Sequence, residues 1–166
     1  APNKGVTKLL EALRRSDPRM PLVLVGDGPD RASLEAEASR DGLDARFTGW
    51  LSREAVWRWM VHAAMLAFPS HGPESLSRVL LEASALGVPI AAMDTGGTRA
   101  IILPERTGLL SSDTEGLARD LSRLANDPAL AATLGEAARQ HAREMFDVRI
   151  VVDRLERLYR DLVEGQ

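Results

Sequence analysis

The 166 residues carry 21 Lys and Arg against 24 Asp and Glu, a net charge of −3, with 45% hydrophobic residues, 4% aromatic residues and no Cys. That length and apolar content suit one folded domain with a sizeable core and exclude a disordered chain. The lack of Cys excludes a disulfide framework, a zinc ribbon and a thiol nucleophile, and the mild acidity argues against a nucleic-acid-binding surface. The longest apolar runs, such as Leu22–Val25 and Ala63–Phe68, are too short to cross a bilayer. No charged segment followed by an apolar one opens the chain, and its first residue, Ala1, points to processing or to a piece of something longer.

In chain order, Gly5–Ser16 reads as a helix with Val6, Leu9, Leu10 and Leu13 on one stripe, stopped by Pro18 and Pro21. The continuous apolar run from Pro21 to Gly26 predicts a strand buried on both faces. Gly28-Pro29 opens a helix to about Arg40, with Pro at the first helical position. Ala45–Thr48 is a second strand, followed by a helix started by Ser52 that carries Val56, Trp59, Met60 and Ala63. Met65–Phe68 is a third strand, closed by Pro69-Ser70. The loop His71–Ser75 and a helix over Leu76–Leu86 follow, with Gly87 as its C-cap. Val88–Met93 is a fourth strand, Thr95–Gly97 a loop and Gly108–Leu110 a fifth strand. Three helices complete the chain: from the Asp113 cap to about Asn126, from Pro128 to about Met145, and over Val148–Val163. Strands alternating with helices of this length imply an α/β parallel sheet with helices on both faces. Its ligands belong at the carboxyl ends of the strands.

Several residues at those ends can carry chemistry. Gly26 and Gly28 let a ligand approach the backbone, but Arg31 stands where a dinucleotide fingerprint has its third Gly, so taken alone the segment reads as a tight turn. Glu74 and Glu82 are separated by seven residues. Glu82 sits in an apolar helix, where it serves either as an i,i+4 partner of Arg78 or as an acceptor for sugar hydroxyls; spacing does not choose between them. Ser75, Leu76 and Ser77 begin that helix, where amides lack intrahelical partners, and Ser75 is placed to cap it. Lys4 could neutralise a diphosphate, though by itself it reads as a surface Lys. His71 lies in the cleft loop, while His62 and His141 read as surface or packing residues. The three His share no metal-ligand spacing, and no G-x-S-x-G, H-E-x-x-H or Walker motif occurs.

Together these segments resemble the C-terminal half of a GT-B glycosyltransferase of the group-1 (GT4-like) retaining family. The matching stretches are Lys4-Gly5 with Leu9–Leu13, Leu22–Pro29, Arg46–Gly49, Phe68–Ser70, Glu74–Ala83, Gly87–Pro89, Thr95–Gly97 and Thr107–Leu110. They occur in family order over nearly the whole chain, and the Glu-x7-Glu segment is the most specific. The resemblance implies a Rossmann-like sheet and a nucleotide-diphosphate-sugar donor as ligand. It assigns Lys4 to the donor diphosphate, Glu74 to the donor sugar, and Ser75, Leu76 and Ser77 to amide contacts with sugar or phosphate. Glu82 falls to the ribose, with Gly26, Gly28 and Phe47 bordering the nucleotide. It implies no obligate metal and a cytoplasmic enzyme with no transmembrane segment, and it leaves room for peripheral membrane contact by the full enzyme. An acceptor-binding N-terminal domain of the same enzyme would be the missing partner, so the isolated domain is expected to be inactive. The chain starts after the family's usual Arg, Ala100 stands where the family usually has an acid, and the Ser70–Glu74 loop is one residue longer. Ala100 and the missing Arg support an alternative, a non-catalytic nucleotide-binding or assembly module that kept the half-fold. A receiver domain or an epimerase relative is the third reading, and the acidic pair and phosphoacceptor Asp of a receiver are not found. The last helix carries a stripe of Val151, Val152, Leu155, Leu158, Tyr159 and Leu162, expected to pack on the sheet or on a neighbouring molecule.

Overall fold

The structure, a computed structural model, describes residues 4–72 and 75–164. The described elements alternate as expected: α1 (Val6–Arg15), β1 (Leu22–Val25), α2 (Arg31–Arg40), β2 (Ala45–Gly49), α3 (Arg53–His62), β3 (Leu66–Phe68), α4 (Arg78–Leu86) and β4 (Ile90–Met93). Then come α5 (Thr98–Ile101), β5 (Leu109–Ser111), α6 (Thr114–Asn126), α7 (Pro128–Phe146) and α8 (Val148–Glu164). Every strand pairing is parallel, but the ladders form two pieces, β1-β2 and β3-β4-β5, instead of one continuous sheet. Side chains join the pieces: Leu22 and Leu24 of β1 pack on the same apolar cluster as Met65 and Ala67 beside and within β3.

β4 shows why both faces are covered. Its alternation sends Ala91 and Met93 into a cluster with Leu9 and Leu13 of α1, Leu117 and Leu121 of α6, and Leu134 of α7. Ile90 and Ala92 join Met60 of α3, Leu80 and Ala83 of α4, and Ile101 on the other face. β1 departs from the expected double burial. Leu22 and Leu24 face the first cluster, but Val25 is 40% exposed. The neighbouring α2, with the sequence RASLEAEASR, has Ala38 as its one fully buried residue and so offers little apolar cover.

Helix ends follow local chemistry. Ser52 caps α3 by accepting from the Ala55 N–H at 3.3 Å, Asp113 caps α6 by accepting from Gly116 at 2.6 Å, and Asp127 accepts from Leu130 beside the expected Pro128 start of α7. Gly87 closes α4 with φ at 74°. Two starts differ from expectation. Pro29 lies in a turn closed by Arg31 N–H to the Gly28 carbonyl, so α2 begins at Arg31. α4 begins at Arg78, with Ser77 in the N-cap place. A short helix, α5, also forms where a loop was expected, begun by Thr98, whose hydroxyl donates to the Thr95 carbonyl. α8 buries no residue, and its apolar stripe does not pack on the sheet: Val151, Leu155, Leu158 and Leu162 are 39–59% exposed. No described helix is long and apolar enough to cross a membrane.

Candidate functional site

The carboxyl ends of β1 and β2 are locked together. The Gly26 N–H donates to the Gly49 carbonyl at 2.9 Å, and Gly26 has φ +124°. A Cβ added at Gly26 or at Gly28 would meet nothing within 4 Å, so open space lies beside this turn. Arg31, in the place of the third fingerprint Gly, fastens the turn. Its Nε donates to Glu35 at 2.8 Å, Nη1 to Asp27 at 3.2 Å, and Nη2 to the Phe47 carbonyl at 3.2 Å. The Glu35 hydrogen bond first, and the Asp27 carboxylate after it, hold the guanidinium further toward its charged form. Gly49, at φ +70°, passes so close that a Cβ there would lie 3.3 Å from Arg31 Nη1. Gly26, Gly28 and Phe47 are thus brought to one wall. The guanidinium that organises them was not assigned from sequence; the Asp27–Arg31–Glu35 spacing of four was the available signal.

A second cluster forms at the ends of β3 and β4. Gly5, with φ +69°, seats the start of α1 on the loop after β3: a Cβ there would lie 2.0 Å from the Pro69 carbonyl oxygen and 3.2 Å from His71 Nδ1. Exposed Lys4 precedes it, so Lys4 and His71 flank one junction. The Thr95 hydroxyl donates to the Ser70 carbonyl at 2.9 Å and so ties the loop after β4 to the loop after β3. Arg99 Nε donates to both oxygens of Asp94 at 2.9 Å and closes the Gly96-Gly97 turn. Neither tie was read from sequence.

At α4, Ser75 and Leu76 are exposed and precede the helix, so Ser75 is not its cap. Ser77 occupies that place, but its side chain makes no capping bond. Its Oγ is buried and finds no hydrogen-bond partner among the described residues. The first bond within α4 runs from Leu81 N–H to the Ser77 carbonyl, which leaves the amides of Arg78, Val79 and Leu80 without intrahelical acceptors. Glu82 is half-buried. With about 3.6 residues per turn it lies on the side of α4 away from buried Leu80, Ala83 and Ser84. No Arg78–Glu82 ion pair forms. Glu74 lies outside the described residues. His62 Nδ1 donates to the Arg58 carbonyl on its own helix at 2.7 Å, and His141 packs edge-on against Phe146. Among the described residues no group of three His, Cys, Asp or Glu is placed to hold a metal ion.

Residues 1–141 match the family described as glycosyl transferases group 1. The chain belongs to that family. Among curated group-1 relatives, it is 32% identical to the O-antigen chain mannosyltransferase C of Escherichia coli over 168 residues, covering 98% of this chain and 45% of that one. It is 36% identical to the D-inositol 3-phosphate glycosyltransferase of Saccharomonospora viridis over 163 residues, covering 90% of this chain and 37% of that one. The chain therefore spans less than half the length of these two relatives. Among solved structures, Alr3699/HepE of Anabaena in complex with UDP superposes with a TM-score of 0.86 at 27% identity, covering 96% of this chain and 46% of that one. Its neighbours of known structure are GT-B glycosyltransferases, in accord with the expected α/β fold.

Proposed function

We propose that this chain is the donor-binding domain of a cytoplasmic, retaining glycosyltransferase that takes a nucleotide-diphosphate sugar as donor. The observation that carries the reading is the start of α4, where a buried Ser77 hydroxyl without a partner among the described residues adjoins three amides without intrahelical acceptors. Unsatisfied donors gathered at a helix N-terminus suit an anion, and a sugar diphosphate supplies one. UDP held by the structural neighbour Alr3699/HepE supports the same class of ligand.

In this reading the donor lies across the carboxyl ends of the strands. Gly26, Gly28 and Phe47 border the nucleotide, and Glu82 accepts hydrogen bonds from the ribose hydroxyls. Ser75, Leu76, Ser77 and the α4 amides meet sugar or phosphate, while Glu74 positions the donor sugar. When the anomeric C–O bond breaks, negative charge collects on the departing diphosphate and positive charge on the sugar. Lys4 and the α4 dipole stabilise the former, and a carboxylate beside the ring favours the latter. No step calls for a metal ion. The acceptor is bound by a second domain of the same enzyme, so this domain alone binds donor without turning it over.

Calorimetric titration of the chain with UDP, GDP and ADP tests the reading. One diphosphate binds weakly, and Glu82→Ala weakens it; no binding of any, or binding indifferent to Glu82→Ala, contradicts it. A non-catalytic module is favoured by Ala100, which stands exposed on α5 where the family usually has an acid, and it predicts that the full-length protein binds the diphosphate but transfers no sugar.

A further inference from the structure

The β2–α3 corner carries a feature that the proposed roles do not use. Trp50 is 81% exposed, more than any other large apolar side chain among the described residues. It directly follows Gly49, the residue pinned from both sides: its carbonyl accepts from Gly26, and its Cα face lies against the Arg31 guanidinium. Arg31 in turn holds Phe47 through its carbonyl and Asp27 through its carboxylate. The backbone that presents Trp50 is therefore stiff, although the indole itself is open to solvent. Trp57 and Trp59 differ. Both lie on α3, they are 39% and 36% exposed, and Arg53 and Arg46 stand over their rings.

We infer that Trp50 is a stacking platform for the base of the donor nucleotide. The inference rests on the donor-binding reading above. Three observations bring it to this residue. Trp50 stands at the carboxyl end of β2, beside the carboxyl end of β1, where ligands of parallel α/β sheets sit. The turn next to it, Gly26 to Gly28, is open on the side a Cβ would fill. A base offers a flat apolar face that matches an exposed indole, and stacking tolerates any base. Trp50 then sets how tightly the nucleoside end is held, while Lys4 and the α4 amides hold the phosphates.

The chain has three Trp, so the double variant Trp57→Phe/Trp59→Phe leaves Trp50 as the one indole emitter. The expected result is that UDP, GDP or ADP, whichever binds by calorimetry, quenches that emission with the calorimetric midpoint. Inorganic pyrophosphate, which has no base, leaves it unchanged. In the otherwise unaltered chain, Trp50→Ala weakens the diphosphate about tenfold and Trp50→Phe recovers most of the loss. Calorimetric binding with unquenched Trp50 emission, together with an unaltered Trp50→Ala affinity, overturns the platform and leaves the donor-binding reading standing. Absence of binding by all three diphosphates overturns both.

Discussion

Gly5→Ala perturbs the fold at the point where α1 meets the candidate site, and the cost can be separated into two parts. Gly5 has φ +69°, a conformation that costs an L side chain roughly 1–2 kcal/mol. The new methyl would also lie 2.0 Å from the Pro69 carbonyl oxygen, a backbone atom that cannot swing aside. Overpacking of that kind costs about 1–3 kcal/mol. The sum is about 2–5 kcal/mol, which for a chain of this size lowers the melting temperature by roughly 4–20 °C. Two controls isolate the terms. Gly42 has φ +63° with nothing within 4 Å of an added Cβ, so Gly42→Ala carries the strain alone, about 1–2 kcal/mol. Gly135, inside α7, has no such φ, but its Cβ would lie 2.3 Å from the Gly87 carbonyl oxygen, so Gly135→Ala carries the clash alone, about 1–3 kcal/mol less any helix-propensity gain. Urea unfolding with unchanged m-values gives the three numbers. A Gly5→Ala loss no larger than that of Gly42→Ala would refute the packing of Lys4-Gly5 on the Pro69–His71 loop.

Arg31→Ala removes three partially exposed partners at once, so it should lower the urea midpoint only slightly and weaken nucleoside diphosphate binding several-fold; unaltered affinity would show that the fork does not shape the site. Glu105 is held below the ordinary carboxylate range by its hydrogen bonds from Arg123. A carboxylate whose folded pKa is depressed adds stability that is present above its unfolded value and lost as pH falls through the folded one. Glu105→Gln should therefore destabilise the chain slightly at neutral pH and make unfolding less pH-dependent in the acid range, as read by urea midpoints at a series of pH values. Because α8 buries no residue, removing residues 147–166 should leave the unfolding midpoint of the remainder nearly unchanged; a large loss would mean that the helix supports the core.

Most of the architecture was legible because hydrophobic period and caps agreed. The α1 stripe, Ser52, Gly87, Asp113 and Pro128 each stand where their chemistry placed them. What escaped was set by contacts distant in sequence. The apolar content of β1 implied burial on both faces, but burial depends on what the neighbouring helix offers, and α2 offers little. Pro29 and Leu76 read as helix starts because Pro and Ser suit first turns, yet the turn closed on Gly28 holds Pro29 outside α2, and the extended backbone of Ser77 puts the start of α4 at Arg78. At the site, residue types were readable while their ties were not. Arg31 reaches a backbone carbonyl sixteen residues away and Thr95 one twenty-five residues away, and carbonyls leave no mark in a sequence.

The most direct test of the donor-binding account is an amide-resolved NMR titration of the chain with a nucleoside diphosphate. The account predicts that the amides of Ser77, Arg78, Val79 and Leu80 shift together with those of Gly26 and Gly28. Saturable shifts that spare the start of α4 would contradict it.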